Sequence, residues 1–200
     1  MSEHYYTKDP QVKSQPKEWS TQLRDKTFRL RTDAGVFSRG EVDFGSRLLA
    51  ETFELPEVDG DILDAGCGYG PIGLSIAASF PERKIQMIDL NERALALSTH
   101  NAKSNGITNV EIYSSDALSS VPADGFSAIL TNPPIRAGKK TVFNFYNGAY
   151  SRLNVGGELW VVIQKKQGSA STVKYLEELF GNVETVANKK GYHILKAVKV

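Results

Sequence analysis

Residues 61–73 read DILDAGCGYGPIG, and the punctuation of that run decides the fold. Ile62-Leu63 is a short apolar strand core. Three glycines follow at alternate positions, Gly66, Gly68 and Gly70, and helix-forming residues continue from Ile72 to Ala78. Strand, glycine-rich turn and helix, in that order, open a nucleotide-type α/β sheet. Glycine lets the backbone pass close to a ligand with no Cβ in the way. The first turn of the helix presents unpaired N–H groups to the same place. A dinucleotide fingerprint, GxGxxG, needs its third glycine at position 71, and that position is Pro71. The run instead carries an acid, Asp64, at the strand end.

Downstream, strands and helices alternate, which indicates a parallel sheet. A second strand, Lys84 to Asp89, leaves Asp89 at its C-terminal end. An acid there can take both ribose hydroxyls of an adenosine. Asp89 is equally placed to cap the helix around Asn91-Ala94, and the two uses are compatible. Asn91 offers a cap or a second ligand contact. The helix from Glu92 to Lys103 stops at Asn105-Gly106. The strand Val110 to Tyr113 then runs into Ser115-Asp116-Ala117. Asp116 either accepts a hydrogen bond from an adenine amino group, with the Ala117 N–H beside it, or caps a short turn toward Leu118.

The most specific signal follows the strand Phe126–Leu130: Thr131-Asn132-Pro133-Pro134-Ile135. Adjacent prolines after an amide, at a strand's C-terminal edge, make a rigid and poorly hydrated lip. The Asn132 side-chain oxygen can accept from an exocyclic amine, and the Pro133 carbonyl can accept from the same group. Arg136, Lys139, Lys140 and Arg152 lie close to this lip in sequence, and Lys165 and Lys166 follow a further strand, Glu158 to Ile163. They are candidates for phosphate contacts, or ordinary solvated side chains. Val183-Ala187 and Tyr192-Val198 suggest a closing antiparallel hairpin.

The chain has 200 residues, 40% hydrophobic, which suits one α/β domain with a sizeable core. The domain is expected over 26–200, behind an N-terminal arm, 1–25, that either has little regular structure or binds a partner, with Tyr5, Tyr6 and Trp19 as possible anchors. Within the domain, Lys26–Thr32 alternates as a half-exposed strand, and Asp43 can cap a helix containing Leu48 and Leu49. Twenty-four basic against 23 acidic residues leave a net charge of +1, so any nucleic-acid contact rests on a local basic rim. The single cysteine, Cys67, cannot form an internal disulfide, and a reducing, cytoplasmic compartment is expected. No signal peptide or membrane span is read. His4, His100 and His193 lack metal-ligand spacing, so no metal is expected.

The turn from Asp64 to Gly70 resembles the first motif of the Rossmann-like S-adenosylmethionine methyltransferases. With Asp89, Asn132-Pro133-Pro134 and the upstream GVFSRG and D-x-G-S segments, residues from about Lys26 onward resemble the bacterial small-subunit ribosomal RNA guanine-N2 methyltransferases. That resemblance implies a class I fold: a seven-stranded, mostly parallel sheet with a C-terminal antiparallel hairpin. It implies S-adenosylmethionine bound by Asp64, Gly66, Cys67, Gly68, Gly70, Asp89, Asn91, Asp116, Ala117 and Asn132. It has Phe37, Asp43 and Gly45 closing over that cofactor, although Gly40 stands where the family often has Asp. Asn132, Pro133 and Pro134 become catalytic. Ile135, Arg136, Lys139, Lys140, Lys165 and Lys166 would face substrate. Cys67 is a small packing residue of the turn rather than a nucleophile.

The implied reaction is methylation of guanine N2 in ribosomal RNA or in an assembly particle. Adenine N6, a protein glutamine amide, and an inactive RNA-binding assembly factor remain as alternatives. Longer relatives carry a second, degenerate domain for which this chain lacks room, so a homodimer or a partner domain is implied as an option.

Overall fold

The run at Asp61–Ala65 becomes the central strand of the main sheet. The structure, a computed structural model, describes residue 8 and residues 12–200. His4, Tyr5, Tyr6 and Pro10 of the expected arm lie outside the described residues. Residues 12–16 have no regular structure, but the end of that arm differs from expectation. Strand β1 (Lys17–Leu23) pairs antiparallel with β2 (Lys26–Thr32), Trp19 level with Leu30, in a sheet of their own.

After helix α1 (Phe44–Thr52) come β3 (Asp61–Ala65), α2 (Pro71–Ser79), β4 (Ile85–Asp89), α3 (Glu92–Ser104), β5 (Val110–Ser114) and β6 (Phe126–Thr131). Then α4 (Lys139–Arg152), β7 (Leu153–Gln164), α5 (Ser169–Phe180), β8 (Glu184–Lys189) and β9 (Tyr192–Val198) complete the chain. The seven-stranded sheet runs β5-β4-β3-β6-β7-β9-β8. Pairing is parallel from β5 to β7 and antiparallel in β7-β9-β8. This is the expected class I architecture, closing hairpin included.

Two apolar layers cover the sheet. Alternation along β7 sends Trp160 and Val162 to the face shared with Leu48, Leu49, Leu74 and Leu97 of α1, α2 and α3. Leu159, Val161 and Ile163 go to the opposite face, against α4 and α5. No helix among the described residues is long and apolar enough to cross a membrane.

The β1–β2 hairpin is bolted on by polar side chains. Arg24, in its turn, donates to the carbonyls of Ala50 and Phe53, each at 2.7 Å, and to Ser79 Oγ at 3.1 Å. Those carbonyls belong to the C-terminal end of α1, where helix acceptors lack partners. Asn101 of α3 is fully buried and satisfied. Its Nδ2 donates to the carbonyls of Arg31 and Tyr69, and its Oδ1 accepts from the Arg31 N–H. One amide thus ties β2 to the glycine turn.

The approach to β3 turns on Gly60, whose φ is +145°. A Cβ there would lie 2.5 Å from the Gly125 carbonyl and 2.7 Å from the Ser127 N–H. Both are backbone atoms that cannot swing away. Gly60→Ala should lower stability by about 2 kcal/mol through strain and overpacking. Urea unfolding reads it as a lower midpoint, and an unchanged midpoint would contradict this packing.

Candidate active site

From β3 the chain builds outward through β4 to β5, then returns to place β6 on the other side of β3. A ligand crevice is expected where the order reverses, outside the strands' C-terminal ends. Ala65 ends β3 level with Thr131, the end of β6. The Thr131 hydroxyl donates to the Ala65 carbonyl at 3.0 Å. The glycine turn therefore leaves one side of this crevice and the Asn132 lip leaves the other.

The glycine turn is held open from below. The Gly66 and Cys67 N–H groups both donate to the Ile88 carbonyl. Gly66 and Gly68 have φ of +77° and +58°, and a Cβ on either would meet no atom within 4 Å. Their glycines are set by backbone conformation, and the space above them is free for a ligand. Gly70 differs. Its Cβ would fall 2.8 Å from Leu74 Cδ1 and Ser98 Oγ, so it lets α2 and α3 approach.

Asp89 accepts from the Gly68 N–H at 2.8 Å through one oxygen and from the Asn91 N–H at 2.9 Å through the other. A carboxylate has further lone pairs, so this oriented group can still accept from vicinal hydroxyls. The cap of α3 is Asn91, whose Oδ1 accepts from the Ala94 N–H at 3.1 Å. That removes the choice left open between the two residues. Asp116 and Ala117 are exposed beyond β5, on the same edge. The turn toward Leu118 is closed by the Asp116 backbone carbonyl and by Ser115 Oγ rather than by the Asp116 carboxylate.

Beneath the turn, Asp64 accepts from the Gly73 N–H at 2.7 Å through Oδ2. Its Oδ1 is buried with no partner. Burial raises the Asp64 pKa from 3.8 to about 7, against the pull of the Gly73 N–H, and Asp89 adds to the rise. Burial raises Asp89 as well. Cys67 is buried, and burial pushes its thiol well up, which opposes thiolate formation. Two desolvated carboxyls below an open cradle suit a cationic adenosyl ligand. S-adenosylmethionine, with a sulfonium and an ammonium, fits that demand. Asp89 would hold its ribose, with Gly66 and Gly68 against its backbone-facing side.

The lip is oriented by α1. Asp43 caps that helix, accepting from the Ser46 N–H at 3.0 Å. Asn132 Nδ2 donates to Asp43 Oδ2 at 3.4 Å and to Ser46 Oγ at 3.1 Å. Asp43 Oδ2 is an acceptor here, as it is toward the Ser46 N–H, so the amide NH2 faces it and Oδ1 is left for another donor. The Pro133 carbonyl accepts from the Ile135 N–H at 2.8 Å, which uses one of its two lone pairs. A 3-10 turn, Ile135–Ala137, follows and carries Arg136 outward. Ser46 closes the D-x-G-S segment, but nothing local pointed to its bond with Asn132. Its partner lies 86 positions away.

The upstream loop lies across the crevice mouth. Tyr69 donates to the Glu41 carbonyl, Asn91 to that of Gly35 and Arg93 to that of Ala34. Phe37 sits in this loop, 45% exposed. Gly45 is packed between β9 and the lip: a Cβ on it would sit 3.0 Å from the Tyr192 ring and 3.3 Å from Asp43 Oδ2. Lys139, Lys140, Lys165 and Lys166 are all exposed. Among the described residues, no three His, Cys, Asp or Glu side chains group as metal ligands.

Comparison with known proteins agrees with this geometry. The profile of the methyltransferase small domain matches residues 27–196. A Bacillus subtilis (strain 168) protein, "Uncharacterized protein YbxB", is 60% identical over 201 residues, covering 100% of both chains. The fold is similar to a T. thermophilus 16S rRNA N2-guanine methyltransferase, RsmC, in complex with AdoMet and guanosine. The TM-score is 0.81 at 24% identity, over 96% of this chain and 52% of that one. The chain thus spans about half of that enzyme's length. A methyltransferase from Pyrococcus furiosus gives 0.68 at 22% identity, over 83% and 90% of the two chains.

Asp64 makes the site sensitive to pH. With a folded pKa of about 7 against 3.8 when free, the unliganded fold holds an extra proton in that window. Its stability therefore falls as pH rises through it. A bound cation favours the ionised form, so protons compete with it. Affinity for S-adenosylmethionine, measured by calorimetry, should weaken below about pH 7, by at most about tenfold per unit from this group. Asp64→Asn should weaken binding at neutral pH and flatten the profile. A wild-type profile already flat there would contradict the assignment.

Proposed function

The chain belongs to the methyltransferase small domain family and is an S-adenosylmethionine-dependent methyltransferase of the class I fold, and on that premise we propose that its acceptor is an exocyclic amine of an RNA base, guanine N2 in small-subunit ribosomal RNA. The observation that carries this reading is the Asn132 carboxamide. Asp43 and Ser46 occupy its NH2, which leaves Oδ1 at the lip as a fixed acceptor.

Bound S-adenosylmethionine supplies an electrophilic methyl group. The chain's own part is positioning. Asn132 Oδ1 and the second lone pair of the Pro133 carbonyl accept from the amine's two N–H groups. That turns the nitrogen lone pair toward the crevice. The same dipoles favour positive charge as it develops on nitrogen. Pro133 is buried and Pro134 partly so, which excludes water from the acceptor. No side chain has to form a covalent intermediate, and the buried Cys67 thiol is consistent with that.

Support for guanine comes from the likeness to the T. thermophilus enzyme, whose structure holds guanosine. Support for RNA comes from that likeness together with Arg136, Lys139, Lys140, Lys165 and Lys166. All five are exposed beyond the ends of the adjacent strands β6 and β7. The reading places the protein in the cytoplasm, acting on ribosomal RNA or an assembly particle.

Asn132→Ala should leave S-adenosylmethionine affinity nearly intact and lower methyl transfer about 100-fold, as expected for a misplaced reacting group. Ser46→Ala should lower it less, because Asp43 still holds the amide. Wild-type turnover in Asn132→Ala would remove the lip from the chemistry. The substrate is tested by nucleoside mass spectrometry of ribosomal RNA from cells with and without the gene. Loss of N2-methylguanosine at one small-subunit site, restored by purified protein, supports the proposal. Loss of N6-methyladenosine, or of a methylated glutamine in a protein with RNA unchanged, overturns it.

A further inference from the structure

We infer that the turn between β8 and β9 is a phosphate-binding arm for the nucleotides that flank the target base, with Lys189 and Lys190 as its contacts. This rests on the RNA reading above but uses residues outside the lip and its neighbours.

The topology brings the turn to the reacting edge. β6 and β7 are parallel, so Asn132 and Lys165 leave the sheet on the same side. β9 runs antiparallel to β7, with Tyr192 level with Gln164, and Lys189 of β8 is level with Tyr192. The turn at Lys190-Gly191 therefore emerges beside Lys165, and the Lys165 N–H donates to the Gly191 carbonyl at 2.8 Å. With strands about 4.8 Å apart, the loop ends from β6 to β8 span roughly 15 Å of edge.

Charge is segregated along that row. Residues 135–140, 164–168 and 188–191 contain seven lysines and arginines and no acid. Setting those seven aside leaves 17 bases against 23 acids in the rest of the chain. A nearly neutral protein thus carries one strongly basic edge, which is the footprint of a polyanion partner. Among the described residues, none of the seven forms an ion pair.

The backbone adds an independent observation. Lys190 has φ of +50° and Gly191 +77°, a two-residue hairpin turn whose first position favours Asn, Asp or Gly. A lysine there costs strain. A second such turn, Arg24-Asp25, also holds a cation at positive φ, but Arg24 is consumed by the carbonyls of Ala50 and Phe53. The Lys190 ammonium instead lies over the Phe44 ring, 4.8 Å from its centre. Phe44 contacts Tyr192, with ring centres 5.6 Å apart. Phe44 also follows Asp43, whose carboxylate meets Asn132. The arm is thus braced on the helix that sets the lip, so its phosphates belong to nucleotides next to the reacting base.

The test is anisotropy of a labelled single-stranded RNA oligonucleotide bound to the full chain across a range of salt. The variant is K189Q/K190N, since Asn tolerates the left-handed turn. Its log–log salt slope should be shallower by about 1.4, two contacts at about 0.7 each. Affinity for S-adenosylmethionine should not change, and K189R should keep the wild-type slope. K174Q, on the outer face of α5, serves as a charge control and should flatten the slope little. An unchanged slope in K189Q/K190N while K165Q/K166Q flattens it overturns the arm and leaves the RNA reading standing. Equal flattening per charge by K174Q also overturns it. Salt-independent or absent RNA binding by the wild type overturns the arm together with the RNA reading.

Discussion

β3 lies between two parallel partners, with Ala65 level with Ile88 on one side and Thr131 on the other. That register is the constraint on which the site depends. It brings the glycine turn, Asp89 and Asn132 to one edge at a common height. It also puts Leu63 and Ala65 on the face of α4 and α5, and Ile62 on the opposite face. A slip of one residue would exchange the faces and send Asp64 away from the N-terminus of α2. The fully buried β6 on one flank leaves no room for such a slip.

Helix starts divide into two kinds along that edge. α1 and α3 are closed by the side chains of Asp43 and Asn91. Both caps have second duties, Asp43 toward Asn132 and Asn91 toward the Gly35 carbonyl. α2, α4 and α5 begin at Gly70, Gly138 and Gly168 with no side-chain cap. The first N–H groups of α4 and α5 stay available to whatever occupies the rim, whereas in α2 Pro71 has none and the Gly73 N–H is held by Asp64. Lysines in the first turn of α4 oppose the helix dipole, an arrangement that fits anion contact better than it fits helix stability.

Much of this was legible because it is local. The glycine spacing, an acid at the end of the second parallel strand and an amide before two prolines each fit within a few residues. The closing hairpin was readable from its alternation. What escaped depends on distant partners or on backbone alone. β1 turns Trp19, Thr21 and Leu23 inward, but with a threonine between only two apolar residues its alternation is too weak to read, and the strand is fixed by its ladder to β2 and by Trp19 against Tyr69. Gly156 and Gly157 lie inside β7. A Cβ on Gly157 would sit 2.9 Å from the carbonyls of Asn154 and Phe126, beside a shift in register. That glycine answers crowding between strands rather than a reversal of the chain. Ser46 and the Lys190 turn acquire their meaning only once α1, β6 and β9 are together.

The arrangement of the central strands also has a consequence for how the chain is made. β3 meets β4 soon after both are synthesised, but its other neighbour ends at Thr131, level with Ala65. At roughly 5–20 residues per second, the ribosome needs about 3–13 s to cross that interval. For that time a strand that ends fully buried offers an unpaired apolar edge, the kind of surface on which chains stick to one another. Asn101 and Asn105 emerge before β6 does, and the β1–β2 hairpin can dock on them meanwhile. The nascent chain can thus hold a partly assembled half, hairpin and α3 together, before the strand that leads to Asn132 arrives.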